Sequence, residues 1–182
     1  MKKNNSFRLA VIFMVLIGLV ISVPGFSQND KEQRLIEDSR NAQSAFVKSD
    51  SLMQSLFAGA YAYVIFPNIG KGGIGIGGAA GNGIVFQAGT PIGSAKMKQL
   101  SIGFQFGGQT YREVIFFENE EALSRFKQNN FEFAAQASAV AATKGASANV
   151  KYRDGVMVFT QEKKGLMYEA SIGGQKFDYT AF

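Results

Sequence analysis

Glycine is the feature that most constrains this chain. Of 21 glycines among 182 residues, 14 fall between Gly59 and Gly108. Glycine in a helix interior costs about 1 kcal/mol relative to alanine, while its missing Cβ lets backbones approach closely or bend sharply. Between the glycines the residues read as strands. Tyr61-Ala-Tyr-Val-Ile-Phe66 is a β-branched and aromatic run that Pro67 is expected to stop. The block Gly70-Lys-Gly-Gly-Ile-Gly-Ile-Gly-Gly78 follows, then a strand at Gly83–Ala88. Leu100, Ile102, Phe104 and Phe106 alternate with Ser101, Gly103, Gln105 and Gly107, so one face is buried and the other polar or closely approached. Gln109–Phe117 is a further strand ending in Val-Ile-Phe-Phe.

Helices flank and interrupt these strands. From Asp30 to Phe57 the residues Leu35, Ala42, Phe46, Met53 and Leu56 recur at helical spacing, with Arg34, Glu37, Asp38, Arg40 and Gln43 between them. Ser49 or Asp50 reads as an N-cap, which predicts two helices broken near Lys48–Asp50. Their apolar stripe either packs on the domain core or meets a membrane; a polar face of mixed sign argues for the core. Asn119 predicts a capped short helix, with Glu120 and Glu121 in its first turn and Arg125 and Lys127 in its last. Phe131 to Thr143 alternates apolar and polar residues and reads as a strand, although its alanines favour helix. Asp154-Gly155, Lys164-Gly165 and Gly173-Gly174 then punctuate strands at Val150–Arg153, Val156–Thr160, Leu166–Ile172 and Lys176–Tyr179. The expected fold is α+β, with N-terminal helices packed on a curved antiparallel β-sheet or barrel and one short internal helix.

The first residues read as an address. Lys2, Lys3 and Arg8 precede a 15-residue apolar core, Leu9 to Val23, and Pro24-Gly25-Phe26-Ser27 supplies a breaker and small residues. Residues 1–27 are therefore read as a cleaved signal peptide, 28–57 as a helical segment and 58–182 as a glycine-rich β-domain, the last two forming one domain. Export would place the chain in a periplasm or outside the cell, free or peripheral on a membrane. Cleavage removes three bases and no acid, so the formal charge of +5 becomes +2.

With no Cys and no His, disulfides, thiolate metal sites, cysteine nucleophiles and serine–histidine triads are excluded. G-x-G-x-x-G occurs at Gly70–Gly75 and Gly73–Gly78, but strand-like Gly83-Ile-Val-Phe follows where a dinucleotide site needs a helix. Ser124-Arg-Phe-Lys127 fits S-x-x-K without its usual partner motifs, and the adjacent pairs Glu120/Glu121 and Glu37/Asp38 point to different helix faces. No enzyme, cofactor or metal is expected.

Charge is more informative. The 62 residues between Asp50 and Glu113 hold no acid and carry Lys71, Lys96, Lys98 and Arg112. The 21 residues between Glu132 and Asp154 hold none either and carry Lys144, Lys151 and Arg153. These stretches sum to +7 and leave −5 on the rest of the mature chain. Such segregation fits a basic part that meets an anionic surface, at about 1 kcal/mol per base near an anionic bilayer. It equally fits strands with few places for charge. Nucleic acid is not expected, because no aromatic RNA-binding motif or helix-turn-helix pattern is present.

The ordered blocks Ala60-Tyr-Ala-Tyr-Val-Ile-Phe-Pro67, Gly70–Gly78, Gly81-x-Gly83, Ile102-Gly-Phe-Gln-Phe-Gly-Gly-Gln109, Phe131–Val140 and Gly165–Gly174 make the sequence resemble the SYLF lipid-binding domain family over about Asp50 to Tyr179. The resemblance implies binding of anionic lipid head groups or a membrane surface, here assigned to Lys71, Lys96, Lys98, Arg112, Lys144, Lys151 and Arg153, and no catalytic residue. Eukaryotic relatives bind phosphoinositides, and yeast relatives also bind actin. The signal peptide instead makes this chain look like the family's bacterial exported branch. A bacterial envelope offers neither of those ligands, so actin and phosphoinositides do not transfer. A protein partner in the envelope is the alternative.

Overall fold

A computed structural model of the chain describes residues 25–74, 76–102, 109–129, 131–133, 138–164 and 170–182. The chain divides into Met1–Gln33 and Arg34–Phe182. Of the first unit only the opening of a helix, α1 (Gly25–Ser49), is described, and the apolar core read as a signal lies outside the described residues.

The second unit is α+β. After α1 come α2 (Met53–Gly59), β1 (Ala62–Ile74), β2 (Ile76–Gln87), β3 (Thr90–Ile102), β4 (Gln109–Phe117) and α3 (Glu120–Lys127). Then follow β5 (Ser138–Ala141), a 3₁₀ turn (Ala146–Asn149), β6 (Val156–Lys164), β7 (Ala170–Ser171) and β8 (Gln175–Ala181). The strands form one eight-stranded sheet in the order β7-β5-β6-β4-β1-β2-β3-β8. Two features differ from the expected antiparallel sheet or barrel. β5 and β6 are parallel, because the segment between them, with its 3₁₀ turn, crosses back before β6 begins. Nor does the sheet close among the described residues, since β7 and β8 are its ends. Phe131–Phe133 lies along the β8 end instead, with Glu132 bridged to Lys176 and the Gly174 N–H donating to the Phe133 carbonyl at 3.0 Å.

Proline does not stop β1. The strand passes through Pro67 by a register shift between Ile65 and Asn68, a bulge where a missing N–H is tolerated. It then runs on into the glycine block, where Gly72 pairs with Gly78, Gly73 with Gly77 and Ile74 with Ile76. The described residues of both G-x-G-x-x-G matches therefore sit in paired strands, with Gly75 outside the described residues. The strand expected from Leu100 is the end of the longer β3, and residues 103–108 lie outside the described residues. β2 and β3 turn on Ala88 (φ 49) and Gly89 (φ 76), both in the left-handed region that a tight hairpin turn needs. Of the strand expected over Phe131–Thr143, only β5 and the bridge at Glu132 are described, with residues 134–137 outside. Val150–Arg153 forms no strand and belongs to the crossover, while of Leu166–Ile172 only β7 is described as strand.

α1 ends where a break was expected, but Ser49 and Asp50 do not cap α2. Its N-cap is Leu52, without a side-chain bond, and Asp50 is used elsewhere. α3 matches its reading in detail. Asn119 Oδ1 accepts from the Ala122 N–H at 3.0 Å, and Ala122, Leu123 and Phe126 are buried.

Alternation sends each central strand into two separate cores. On the inner face, Val64, Phe66, Val85, Met97, Ile115, Phe117, Val158 and Phe177 pack with Leu123 and Phe126 of α3 and with Phe131 and Phe133. On the outer face, Tyr63, Ile65, Ile84, Phe86, Val114, Phe116 and Phe159 pack with Ala42, Phe46, Met53 and Phe57. Edge-on and tilted ring pairs knit both cores, among them Phe126–Phe177 at 5.2 Å and Phe57–Phe116 at 4.9 Å between centroids. Glycine makes the close approaches possible. A Cβ on Gly83 would lie 2.5 Å from the Ile65 carbonyl oxygen and 2.7 Å from the Phe66 ring.

Candidate functional site

The strongest alternation of burial and exposure falls on β3. Ala95, Met97 and Gln99 are buried, whereas Lys96, Lys98 and Leu100 are exposed on the outer face. Leu100 is 83% exposed, beside two lysines on a bare strand. Across the sheet, Lys96 faces Asn82 and Asp178, and Lys98 faces Ala80 and Lys176. Lys98 Nζ lies 3.9 Å from Asp178 Oδ2, and Lys176 Nζ lies 3.5 Å from Glu132 Oε2. Both pairs are exposed, so each holds under about 1 kcal/mol and leaves the bases available.

The seven basic residues singled out in the sequence do not form one patch. Lys96 and Lys98 stand together. Arg112 shares their face on β4, beside Gln161, half-buried and with burial pulling its pKa down. Lys163, which the sequence reading passed over, is on that face of β6 and donates to Asn68. Lys71 goes to the other side. It follows inner-face Ile69 by two residues and pairs with Ala79 and Gln109, and burial lowers its pKa as well. Lys144, Lys151 and Arg153 are exposed on the β5–β6 crossover. Asp50 anchors that crossover, its Oδ2 accepting from the Ser147 N–H at 2.9 Å and from Ser147 Oγ at 2.7 Å. Its Oδ1 accepts from the Leu52 N–H at 3.1 Å. Burial pushes the Asp50 carboxyl up, but these bonds and one from Gly145 outweigh it and hold the group below its ordinary value.

The S-x-x-K lysine is engaged elsewhere, with Lys127 Nζ 5.7 Å from the centroid of the Tyr179 ring. Among the described residues no group of three or more Asp or Glu is placed to hold a metal ion. No helix of the described residues is long and apolar enough to cross a membrane.

The inner face carries a polar layer that the sequence reading missed. Gln109, Lys71, Ala79, Gln99 and Gln175 lie in one register row across five strands, and Tyr111 and Ile69 begin the next. Glu113 pairs with Phe66 on one side and with buried Thr160 on the other. Gln175 Nε2 donates to Glu113 Oε2 at 3.1 Å, and Gln99 Nε2 donates to the Gly173 carbonyl at 2.9 Å. β4 and β8 are separated by three strands in the sheet, so the first of these bonds reaches across the curved interior. Glu113 and Gln175 are both 0% exposed. Burial pushes the Glu113 carboxyl up to about 7, against the opposing hydrogen bond from Gln175. Burial first, and the neighbouring Glu113 second, push the Tyr111 phenol up, while a hydrogen bond with Gln175 works the other way. Glu113 is the first acid after the 62-residue gap and shares strand parity with Tyr111, Ile115 and Phe117. That parity was the available signal.

Residues 98–180 match the family model Ysc84, described as a Las17-binding protein actin regulator. This is the SYLF domain family, a family of binding domains rather than enzymes, so the resemblance read from the sequence holds over this stretch. The match runs from Lys98 through β8 and includes Arg112, Glu113, Lys144, Lys151, Arg153 and Gln175. A curated relative, Beta cell expansion factor A of Aeromonas veronii, is 29% identical over 82 residues, 45% of this chain and 31% of that protein. The aligned stretch thus spans about a third of the relative's length.

Proposed function

We propose that the chain is an exported, non-enzymatic binding domain that docks on anionic phospholipid head groups at a membrane surface. The observation that carries this reading is the outer face of β3, where the exposed side chains of Lys96 and Lys98 stand in line with exposed Leu100. With Arg112, Lys163 and Lys176 that face presents five bases against two acids, Asp178 and Glu132. Each base near an anionic bilayer adds about 1 kcal/mol, and burying a leucine in the acyl boundary adds about 1.5–3 kcal/mol. Lys144, Lys151 and Arg153 supply a second basic stretch on the crossover. Lys71, on the inner face, takes no part in head-group contact. The segment Lys2–Ser27 supports export to a periplasm or the cell exterior.

Co-sedimentation of residues 28–182 with vesicles tests the reading. Phosphatidylglycerol or cardiolipin vesicles are expected to bring the protein down, phosphatidylcholine vesicles are not, and binding is expected to fall as salt rises. Binding indifferent to head-group charge and salt overturns the electrostatic mechanism. The protein-binding description of the matched family favours a second reading, an envelope protein partner. One stoichiometric partner captured by a chain that ignores all vesicles would select it.

A further inference from the structure

We infer that Glu113 keeps its proton in the folded chain and forms a cyclic acid–amide pair with Gln175, a clasp between β4 and β8 that opens when the proton leaves. The inference goes beyond lipid binding and does not rest on it.

Two buried acceptors carry the argument. Glu113 Oε1 and Gln175 Oε1 have no hydrogen-bond partner among the described residues, although their side chains already meet through Nε2 and Oε2 at 3.1 Å. Leaving a buried acceptor unpaired costs roughly 1–3 kcal/mol, and burying an isolated carboxylate costs far more. One proton resolves both. A hydroxyl at Glu113 Oε1 donates to Gln175 Oε1 while Gln175 Nε2 donates to Glu113 Oε2, which leaves neither group short of a partner.

The surroundings favour the neutral acid. On its own strand Glu113 has Tyr111, a neutral phenol. β6 brings Thr160 and the acid Glu162, β3 brings Gln99, and β8 brings Gln175 and Tyr179. β1 brings Lys71, with the Ile69–Tyr111 pair between its row and that of Glu113. From α3, Arg125 and Lys127 lie over the rings of Phe131 and Tyr179. Among the described residues none of these cations forms an ion pair with Glu113. Burial raises its affinity for the proton to about 7, from an ordinary value of 4.5. A raised folded value means that the folded chain holds one proton more than the unfolded chain between those limits. Stability from this group is complete below about 4.5, declines as pH rises toward about 7, and levels off above.

Glu113→Gln tests the clasp, because a glutamine keeps both hydrogen bonds with Gln175 and cannot titrate. Thermal or urea unfolding of the wild-type chain and of E113Q is compared from about pH 4.5 to about pH 8. Relative to E113Q, the wild-type unfolding constant is expected to rise about tenfold per pH unit between about 4.5 and about 7 and to run parallel above that. Parallel profiles throughout overturn the proposal. Infrared spectra of the wild-type chain near pH 6 give a second readout, since ordinary carboxyl groups are ionised there. A protonated-carboxyl stretch is expected in the folded protein and absent from E113Q. If E113Q fails to fold, the wild-type spectrum alone decides, and a spectrum without that stretch rejects the retained proton.

Discussion

Two buried carboxyl groups in this chain are driven in opposite directions. Asp50 sits in the turn between α1 and α2, where backbone N–H groups are free to turn toward it, and it collects donors from Leu52 and from both nitrogen and hydroxyl of Ser147. Glu113 sits in mid-strand between β1 and β6, where ladder pairing claims the neighbouring amides, and side chains alone can serve it. Asp50 is held ionised and Glu113 is pushed toward neutrality. Both are almost inaccessible, but Glu113 lies deep in the sheet interior while Asp50 lies in a surface turn with little protein around it, so depth and the number of donors separate them together.

The largest way to break this contrast is Asp50→Ala. It removes an ionised acceptor, leaves Ser147 unsatisfied and frees the crossover, and about 3 kcal/mol of stability should go in urea unfolding at neutral pH. The same acid shapes the low-pH limb. Its folded value lies below the ordinary 3.8, so its contribution is present above 3.8 and is lost as pH falls through the folded value. Asp50→Asn should flatten that limb while leaving the Glu113-linked decline at higher pH untouched.

Gln175→Leu tests the other side and removes the one side-chain donor to Glu113 among the described residues. A loss of about 1–2 kcal/mol is expected below pH 7, where the acid–amide pair is closed, and less above it, where the pair has opened. Equal losses at both pH values would mean that Gln175 only fills space. The smallest effect belongs to exposed charge. Lys98→Ala should leave folding stability within about 0.5 kcal/mol, because its bond to Asp178 is solvated. The same change should weaken binding to phosphatidylglycerol vesicles by about 1 kcal/mol, or roughly fivefold, at low salt.

What could be read along the chain was local. The break between α1 and α2, the Asn119 cap with its acids and bases, and the strand Gln109–Phe117 depend on residues within a turn or two of one another. Other features turned on partners, not neighbours. Pro67 halts an isolated strand, yet bulges against both β2 and β4 let β1 pass through it. The crossover between β5 and β6 looked like a hairpin because Asp154-Gly155 does turn the chain there, joining Arg153 to Val156 rather than two strands. The basic residues shared an acid-free stretch, yet strand parity put Lys71 opposite Lys96 and Lys98.

By itself the sequence determined that this chain builds strands from a glycine-rich middle, lacks thiol and imidazole chemistry and carries its bases in acid-free runs. Those properties follow from residue type and spacing. Only the tertiary structure decided which bases share a face and which acid loses water. Register across non-neighbouring strands brought Gln175 to Glu113 over 62 residues of chain, and that contact depends on sheet curvature rather than on any local signal.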